Sequence, residues 1–550
     1  MRLPTNQTEL LRRVLDVKDA CRSSAANRAA LARSQSLRIE TGRATGTRSL
    51  ANLLYAHVDR VASHLFSPVD LRFILDFEAH YPANILAQAE VAARTITREW
   101  ERKDMDIVFG EGVKVALKYG SAIFKQMWGN SGLECSLLMP WQFGVYREDM
   151  NSLDDQEAVC ESGLMTLEET WRRISHLPGA EGMFSRIRAH ARKQGADPVN
   201  NSFFHNVLST SVLNTDLQSA RQQPGGVVQL SSDTSIGIVS PEVTLDLVPY
   251  HELYIKDDAI EDYVTVLLIE PDVLVSPRLV KKNMFAPQVQ PYSLIQANRE
   301  EGNFWGRSEI VDLSEPQELL SSVYDDAKRM MGLQVDKLLA FSGGEGITDE
   351  KYGEFRAAGF VDLGPGGSVQ DLTPQIPPQM FEFMNIIRHT MDEVAGFNNI
   401  LSGQGESGVR AGVHAETLTR MASPRMRDRA LLVERQCAAS ADKTLSLLAV
   451  KTDHVYHTED NNQFLLHDLP PDRRVTVDSH STSPIFAEDH KDLIGFGLKA
   501  GFLGGDSAIE LLPFPQKDLL KLRYKAMQEA KQRMIQEHPE ILTKGRGGRK

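Results

Sequence analysis

The sequence contains no long hydrophobic run and few features of secreted or metal-binding proteins. No stretch of its 550 residues approaches the roughly 18 to 20 consecutive apolar residues that a membrane-spanning helix needs. Its beginning lacks the apolar core of a signal peptide, and acidic residues among the arginines argue against a transit peptide. The four cysteines are far apart without metal-like spacing. This usage favours reduced, mostly buried thiols and a cytoplasmic setting.

Nucleotide-binding and catalytic motifs are also missing. No Gly-x-x-x-x-Gly-Lys-Ser/Thr segment occurs, so we expect no ATP hydrolysis by the chain itself. Residues 403–408 match the letters of the dinucleotide fingerprint, but they follow a predicted helix rather than a strand. No Gly-x-Ser-x-Gly elbow and no His-Glu-x-x-His helix is present. We therefore predict a protein that is not an enzyme and that uses no cofactor and no metal.

The charge is acidic overall and unevenly distributed. A formal net charge of −13 disfavours a general basic surface that wraps nucleic acid, although a conduit for sliding DNA needs no such surface. Residues 309–341 carry −4 and residues 377–397 carry −2, whereas residues 516–550 carry +6. An acidic helix alone is usually a solvated face. Since both helical segments carry a net negative charge, we favour the interpretation that they form a surface that repels phosphate.

The strongest helical patterns lie between Ser314 and Val450. Ser314 and Gln317 form a possible capping box with Pro316 in the first turn, which predicts a helix from Ser314 to Ala340. A second helix opens at Pro377 and stops at Gly396. Its near-heptad apolar stripe suits packing against another long helix. The stripe consists of Met380, Met384, Ile387, Met391 and Val394.

Two glycine-rich segments and a third helix complete this part of the chain. Residues 342–376, between the two helices, are rich in Gly and Pro, and residues 398–414 follow the second helix. The third helix, residues 415–450, contains Pro424 and should be kinked there. The methionines on the second and third helices fit core packing, with adaptable subunit contacts as the alternative. They are Met380, Met384, Met391, Met421 and Met426.

The flanking regions predict a mixed architecture. Residues 1–49 form a basic helical pattern whose arginines drift around the helix, which indicates a solvated or inter-subunit surface. More helix follows to residue 102, with a break at Ser67-Pro68. Residues 107–124 are apolar and contain three glycines, and alternation predicts strands in three later segments. These are residues 135–146, 243–268 and 454–486. We predict a predominantly helical α+β protein, with a polar insertion at 200–240.

The order of a long helix, a small module, a returning helix, a glycine-rich loop and a kinked helix resembles the portal proteins of tailed bacteriophages. Residues 304–310, Phe-Trp-Gly-Arg-Ser-Glu-Ile, are similar to the lead-in that many portals carry before their stem. The resemblance covers most of the chain and depends on the order of elements. The apolar residues 107–124 resemble the buried wing helix of this family, so a helix is predicted there. It implies seven parts: N-terminal helices and a β-rich wing (1–308), stem helix one (309–341), clip (342–376), stem helix two (377–397), tunnel loop (398–414), kinked wing helix and returning strands (415–489), and crown with a basic C-terminal tail (490–550).

The resemblance also implies a function. The family forms a ring of twelve subunits at one capsid vertex, through which double-stranded DNA of any sequence is packaged and ejected. Its partners are other copies of itself, the terminase, adaptor or tail proteins, and the major capsid and scaffold proteins. We expect assembly in the host cytoplasm, a final location in the virion, and no membrane partner.

The residues implied by the resemblance fall into three groups. The tunnel-loop residues that face DNA would be Asn398, Asn399, Ser402, Gln404, Glu406, Ser407, Arg410 and His414. The acidic residues that line the channel along the stem would be Asp325, Asp326, Asp336, Glu382, Asp392 and Glu393. The clip residues that bind partners would be Asp349, Lys351, Tyr352, Phe355 and Arg356.

Two other functions remain open at this point. A non-viral helical scaffold without a channel would use the glycine-rich segments as ordinary linkers. An uncharacterised hydrolase is a third possibility, but no sequence pattern pairs catalytic groups for it. The particle formed by the chain, a hollow ring or a monomer without a pore, separates the first two.

Overall fold

The computed structural model describes residues 3–4, 6–45, 47–68, 71–129, 131–194, 247–270, 273–274, 281–282, 285–335, 339–342, 365–373, 375–396, 424–458, 461–477 and 523–528. Of these residues about 53% are helical and 20% lie in strands. The predicted α+β class is therefore confirmed. Within the described ranges, no helix combines the length and apolarity that crossing a bilayer requires.

The main helices are named in chain order. They are α1 (Gln7–Thr41), α2 (Leu54–Leu65), α3 (Ala83–Arg102), α4 (Met105–Tyr119), α5 (Leu167–Ile174), α6 (Ala180–Gln194), α7 (Glu309–Val335), α8 (Pro378–Ala395) and α9 (Pro424–Lys451). Residues 523–528 are also helical.

The strands are named in the same way. They are β1 (Phe73–Phe77), β2 (Ala122–Gly129), β3 (Gly132–Leu138), β4 (Phe143–Val145), β5 (Ala158–Thr166), β6 (Leu247–Asp257), β7 (Asp262–Ile269), β8 (Val273–Leu274), β9 (Lys281–Lys282), β10 (Tyr292–Ile295), β11 (Leu339–Ser342), β12 (Ser368–Asp371), β13 (Tyr456–His457), β14 (Gln463–Phe464) and β15 (Arg473–Val477).

All described strand pairs are antiparallel. The largest sheet has the order β4-β5-β6-β7-β8, and β9 also pairs with β7. A three-stranded sheet has the order β10-β2-β3, in which Ile123 lies opposite Leu138. The pair β1–β15 joins the N-terminal half to the C-terminal half, and the β11–β12 hairpin lies between α7 and α8. The predicted strands at 135–146, 243–268 and 454–486 are confirmed where the structure describes them.

Two hydrophobic cores organise these elements. The larger core contains buried residues of α2, α3, α4, α7, α8 and α9, with Trp100, Phe109 and Phe124 stacked at its centre. The second core lies where α1 covers the largest sheet, and Val17 and Cys21 are fully buried there. Farther along α1, alanines pack on Trp141, and its last turn approaches α7. The helix α1 therefore contacts both the β-rich region and α7.

The structure refines the predictions for the first 130 residues. The basic N-terminal helix and the break at Ser67-Pro68 are confirmed, since α2 ends at Leu65. The helix predicted for 107–124 is wrong at its end. It stops before Gly120, which has a φ of +92°, and β2 begins at Ala122. Strand β1 was not predicted, because its partner β15 lies at the opposite end of the sequence.

The predicted bounds of the first long helix are wrong at both ends. It begins at Glu309, five residues before the predicted cap, and Ser314 lies inside it with its hydroxyl donating to the carbonyl of Val311 at 3.0 Å. Ser308 is the residue that caps the first turn, because its Oγ accepts from the N–H of Ile310 at 3.1 Å. The helix is described to Val335, and the apolar residues from 339 onward form β11 instead.

The second long helix agrees with its prediction. It follows Pro377 and ends at Gly396, which adopts the left-handed conformation that terminates helices, with a φ of +84°. Met384, Ile387 and Met391 are buried against the larger core. The core interpretation of the methionines is thus confirmed for these helices, with Met426 also buried. Met421 lies outside the described residues.

The third helix and the cysteines complete the comparison. Helix α9 is described from Pro424, so the predicted kink and residues 415–423 lie outside the described residues. All four cysteines are free thiols, and Cys21, Cys160 and Cys437 are buried, as predicted. Burial raises the pKa of the Cys160 thiol to about 12, so it stays protonated near neutral pH.

Candidate functional site

Helices α7 and α8 form an antiparallel pair, which we call the helix pair. Arg388 of α8 donates to the hydroxyl of Tyr324 on α7 and lies 5.8 Å from its ring. Arg425, at the start of α9, donates to the carbonyl of Val394 and lies 4.0 Å from Asp312. The contact near the C-terminal end of α8, at Val394, lies beside Asp312 near the N-terminal end of α7. The contact at Arg388, earlier in α8, reaches Tyr324, later in α7. The two helices therefore run in opposite directions, joined at one end by the β11–β12 hairpin.

Glu382 and Glu393 are exposed on the side of α8 that faces away from α7. The packed stripe contains Met384, Ile387 and Met391. At about 100° per residue, both glutamates lie more than about 150° around the helix from the centre of that stripe. These two predicted channel residues thus share one solvent-facing surface. His389 lies on this surface as well, with its Nε2 3.5 Å from Glu393, so the outer face of α8 is negative while the histidine is neutral.

Asp325 and Asp392 are placed differently, because each forms an ion pair within the subunit. Arg43, just after α1, pairs with Asp325, and Arg60 of α2 pairs with Asp392. Only Asp326, of the described acids predicted on α7, is exposed without an ion pair among the described residues. Each of these two carboxylates is therefore partly neutralised within the subunit, and the expectation that the stem acids line a channel stays a prediction. The segment just after α1 and helix α2 supply the neutralising arginines.

Large apolar side chains are exposed on both flanks of α8. Phe381 is 49% exposed, Phe383 43% and Ile386 54%. Relative to the packed stripe, Phe381 lies about 90° to one side and Phe383 about 70° to the other side. Ile386 lies on the same side as Phe383 but about 130° from the stripe, next to the outer face that carries Glu393. On α7, Leu319 is also exposed. An isolated subunit leaves these side chains in water, and such clustering marks interaction surfaces.

The segment from Phe304 to Ile310 joins the β-rich region to α7, and we call it the junction. Trp305 is buried, and its indole Nε1 donates to Glu148 at 2.9 Å and to Ser24 of α1 at 3.2 Å. The hydroxyl of Ser308 donates to the carbonyl of Leu117 at 3.3 Å. The junction therefore fastens α1, α4 and α7 to one another.

Two glycines allow the backbones in the junction to touch. A Cβ on Gly306 would lie 2.4 Å from the carbonyl oxygen of Gly120 and 2.5 Å from that of Asn298. A Cβ on Gly120 would lie 2.1 Å from the carbonyl oxygen of Gly306. The N–H of Gly306 donates to Ser121 at 2.9 Å. Only residues without a side chain fit this crossing.

A buried ion pair fixes the start of α7. The Glu309 side chain is fully buried, and its Oε2 accepts from Arg429 of α9 and from the amide of Asn298, each at 2.9 Å. Burial lowers the pKa of Arg429, and the carboxylate of Glu309 opposes that shift. The pair explains why α7 begins at Glu309 and not at the later cap.

The remaining predicted site residues lie outside the described residues. They are the tunnel-loop positions Asn398, Asn399, Ser402, Gln404, Glu406, Ser407, Arg410 and His414, the clip positions Asp349, Lys351, Tyr352, Phe355 and Arg356, and Asp336 of the stem. Most of the predicted clip, the tunnel loop and most of the crown fall in the same ranges.

Sequence reasoning missed a Ser-His-Glu row in the largest sheet. The hydroxyl of Ser162 lies 2.8 Å from Nδ1 of His251, and Nε2 of His251 lies 3.3 Å from Glu270. Ser162 and His251 face each other across β5 and β6, so no spacing in the sequence could reveal them. Both side chains are buried, and Arg22 of α1 pairs with Glu270. The ring nitrogens are also used in the opposite sense to a hydrolase triad. We assign this row to the attachment of α1.

A second buried polar cluster links the two large sheets. Lys125 of β2 pairs with Glu161 of β5 and with Glu252 of β6, the latter at 2.9 Å. The hydroxyl of Tyr292 donates to Glu161 at 2.9 Å. Although burial alone would lower the pKa of Lys125, the two carboxylates raise it above its ordinary value. The lysine is therefore a charged structural link between the sheets.

Comparison of the sequence with protein-family models gave no match, and comparison with curated proteins gave none either. Function must therefore be inferred from the residues and their arrangement. Among the described residues, no three His, Cys, Asp or Glu side chains gather as metal ligands would.

Proposed function

We propose that the chain is the subunit of a portal ring at a capsid vertex of a tailed bacteriophage. The ring would conduct double-stranded DNA during packaging and ejection, and would dock the terminase and then adaptor or tail proteins. The order of α7, the β11–β12 hairpin, α8 and α9 supports this proposal. In it, the helix pair is the stem and the hairpin is the base of the clip.

The observation that carries the proposal is the pair of unequal apolar flanks on α8. A closed ring needs two different surfaces on each subunit, because every copy contacts one neighbour with each side. Phe381 on one flank, with Phe383 and Ile386 on the other, meets that requirement. Burying such side chains stabilises an association by roughly 25 cal/mol per Å² of apolar surface. We expect about twelve copies per ring in the virion.

The acidic outer face of α8 supports a role in passing DNA. Glu382 and Glu393 are exposed on the side away from α7, and phosphate would be repelled from them. Repeated around a ring, these carboxylates would give the duplex few places to adhere. Asp326 would add to the same field, whereas Asp325 and Asp392 would contribute little because Arg43 and Arg60 pair with them.

Imaging of the purified chain tests the proposal. Negative-stain electron microscopy with mass photometry should show a hollow particle of many copies with rotational symmetry. A monomer without a pore would overturn the portal proposal and favour a helical scaffold. Because portals can assemble with variable copy number outside the capsid, the test is the presence of a closed ring and its central hole.

A further inference from the structure

A cavity of about 330 Å³ lies where the loop after β10, the start of α7 and the start of α9 meet. Its lining is unusually rich in arginine. The charged residues that line it are Arg299, Arg307, Arg425, Arg429, Asp312 and Asp428. Neither the ring contacts nor the acidic face of α8 uses this cavity.

Two of the four arginines are held by carboxylates and shape the cavity. The side chain of Arg429 is buried and donates to Glu309 at 2.9 Å, behind the cavity wall. Arg307 donates through Nε to Asp312 at 3.1 Å. These fixed guanidinium groups cost little further ordering when a ligand binds, since their positions are already set.

The other two arginines are held more loosely. Arg299 is exposed and forms no ion pair with any described residue. Arg425 donates to the carbonyl of Val394 and stays 4.0 Å from Asp312, too far for a strong hydrogen bond. Asp312 and Asp428 line the cavity with the four arginines, and Glu309 pairs with Arg429, so these seven groups sum to one positive charge.

We infer that this cavity binds a phosphate group, carried either by a free phosphate compound or by the backbone of a nucleic acid. Guanidinium groups from two segments, the loop after β10 and the start of α9, line one space, and a tetrahedral oxyanion has enough acceptors to engage them together. A carboxylate has only two oxygens, which one arginine can satisfy. The cavity volume is at the lower end for ligand sites, and suits a phosphate with its substituent rather than a large organic molecule.

The test uses the full-length chain and measures binding of two probes. Isothermal titration calorimetry with inorganic phosphate and with pyrophosphate examines free phosphate. Fluorescence anisotropy with a 30-base-pair duplex of arbitrary sequence, about the length used for such assays, examines nucleic acid at several salt concentrations. The variants are Arg299→Ala and the double variant Arg299→Ala with Arg425→Ala. Arg98→Ala, exposed on α3, is the control with the same charge change.

Inorganic phosphate or pyrophosphate should bind the parent chain, and Arg299→Ala should weaken that binding at least about tenfold, as expected for a hydrogen bond to a charged group. Arg98→Ala should bind as the parent does. If the duplex loses affinity in parallel, with a shallower salt dependence, nucleic acid is the source of the phosphate. If duplex binding does not change, the source is a free phosphate compound.

Absence of phosphate binding by the parent chain would overturn the inference. Equal weakening by Arg299→Ala and Arg98→Ala would overturn it as well, because only general charge would then be involved. Thermal melting of each variant checks folding, and Arg299→Ala carries the test alone if the double variant melts early. Since the cavity lies within one subunit, the phosphate titration gives the same answer whether or not the chain forms a ring.

Discussion

The junction and the helix pair differ in how fully one subunit satisfies their side chains. In the junction, Trp305, Ser308 and Glu309 are buried and each has its hydrogen-bond or ion-pair partner within the chain. On the helix pair, Phe383 and Ile386 remain in water. Adjacent segments of the chain therefore differ in whether a single subunit satisfies their side chains. One segment holds the subunit together, and the other would be covered by a neighbouring copy in the proposed ring.

The largest effect on subunit stability is expected from Gly306→Ala in the junction. The new Cβ would lie 2.4 Å from the carbonyl oxygen of Gly120 and 2.5 Å from that of Asn298, and neither backbone group can rotate away. We expect a loss of about 4 kcal/mol or more in the free energy of unfolding, or failure to fold. Guanidinium unfolding followed by circular dichroism measures it.

Gly332→Ala is the matched control on α7. A Cβ at Gly332 meets no atom within 4 Å, and alanine favours a helix over glycine by roughly 0.5 to 1 kcal/mol. This variant should therefore be slightly more stable than the parent. Similar losses in both variants would contradict the close backbone crossing at Gly306.

The next largest effect is expected from Glu309→Gln. The substitution preserves shape but leaves the buried guanidinium of Arg429 without its counter-charge. Breaking a buried pair in this way costs about 3 kcal/mol of unfolding free energy. The exposed Glu315 lies on the same helix, so Glu315→Gln should change stability by less than about 0.5 kcal/mol. An unchanged unfolding midpoint for Glu309→Gln would show that the pair does not hold the junction.

An intermediate, pH-dependent effect is expected at His57, which α2 buries beneath the helix pair. Burial, together with the positive charges of Arg60 and Arg429, lowers its pKa to about 4, and Asp392 partly opposes these effects. In the unfolded chain its pKa is near 6.5, so the unfolded state takes up the proton first as the pH falls. Stability should therefore decrease between about pH 6.5 and pH 4 by about 2 to 3 kcal/mol, then level off.

His57→Gln tests this contribution, since glutamine does not titrate. The difference in unfolding free energy between parent and variant should be constant above about pH 7 and should shrink, or change sign, as the pH approaches 4. Parallel stability curves over the whole range would contradict a buried neutral histidine at this position.

The smallest effect on the subunit itself is expected from Phe383→Ser combined with Ile386→Ser. Both side chains are exposed, so the free energy of unfolding of one subunit should change by less than about 0.5 kcal/mol. The size distribution in mass photometry should nevertheless shift from rings to single subunits. Leu86→Ser, at an equally exposed leucine on α3, should leave the rings intact. Rings that survive the double substitution would place the subunit contact elsewhere.

Local signals made part of this fold predictable. Helix α8 was predicted with nearly correct ends, because Pro377 and Gly396 mark its ends and its apolar stripe has helical spacing. The capping pattern at Ser314 placed the start of α7 five residues too late, whereas the stem span 309–341 implied by the resemblance begins at its first residue. The apolar residues that follow α7 fit a helix and a strand equally well in sequence.

The placement of the acids could be predicted even less. The composition predicted that the helix pair carries a net negative charge. It did not predict that Arg43, just after α1, and Arg60 of α2 neutralise Asp325 and Asp392. The basic pattern of residues 1–49 indicated a surface role, and in part that surface is the subunit's own α7. Charge counted along one segment omits the charges that folding brings beside it.

The length of α1 has a mechanical consequence. Its 35 residues span roughly 52 Å, with the region of Cys21 pressed on Gly144 of β4 and Arg38 beside Glu318 of α7. A helix of this length is stiff, and α1 is fixed to the sheet near Cys21 and to α7 near Arg38. If the helix pair tilted when neighbouring subunits moved, α1 would have to transmit that tilt to the largest sheet or lose one of these two contacts.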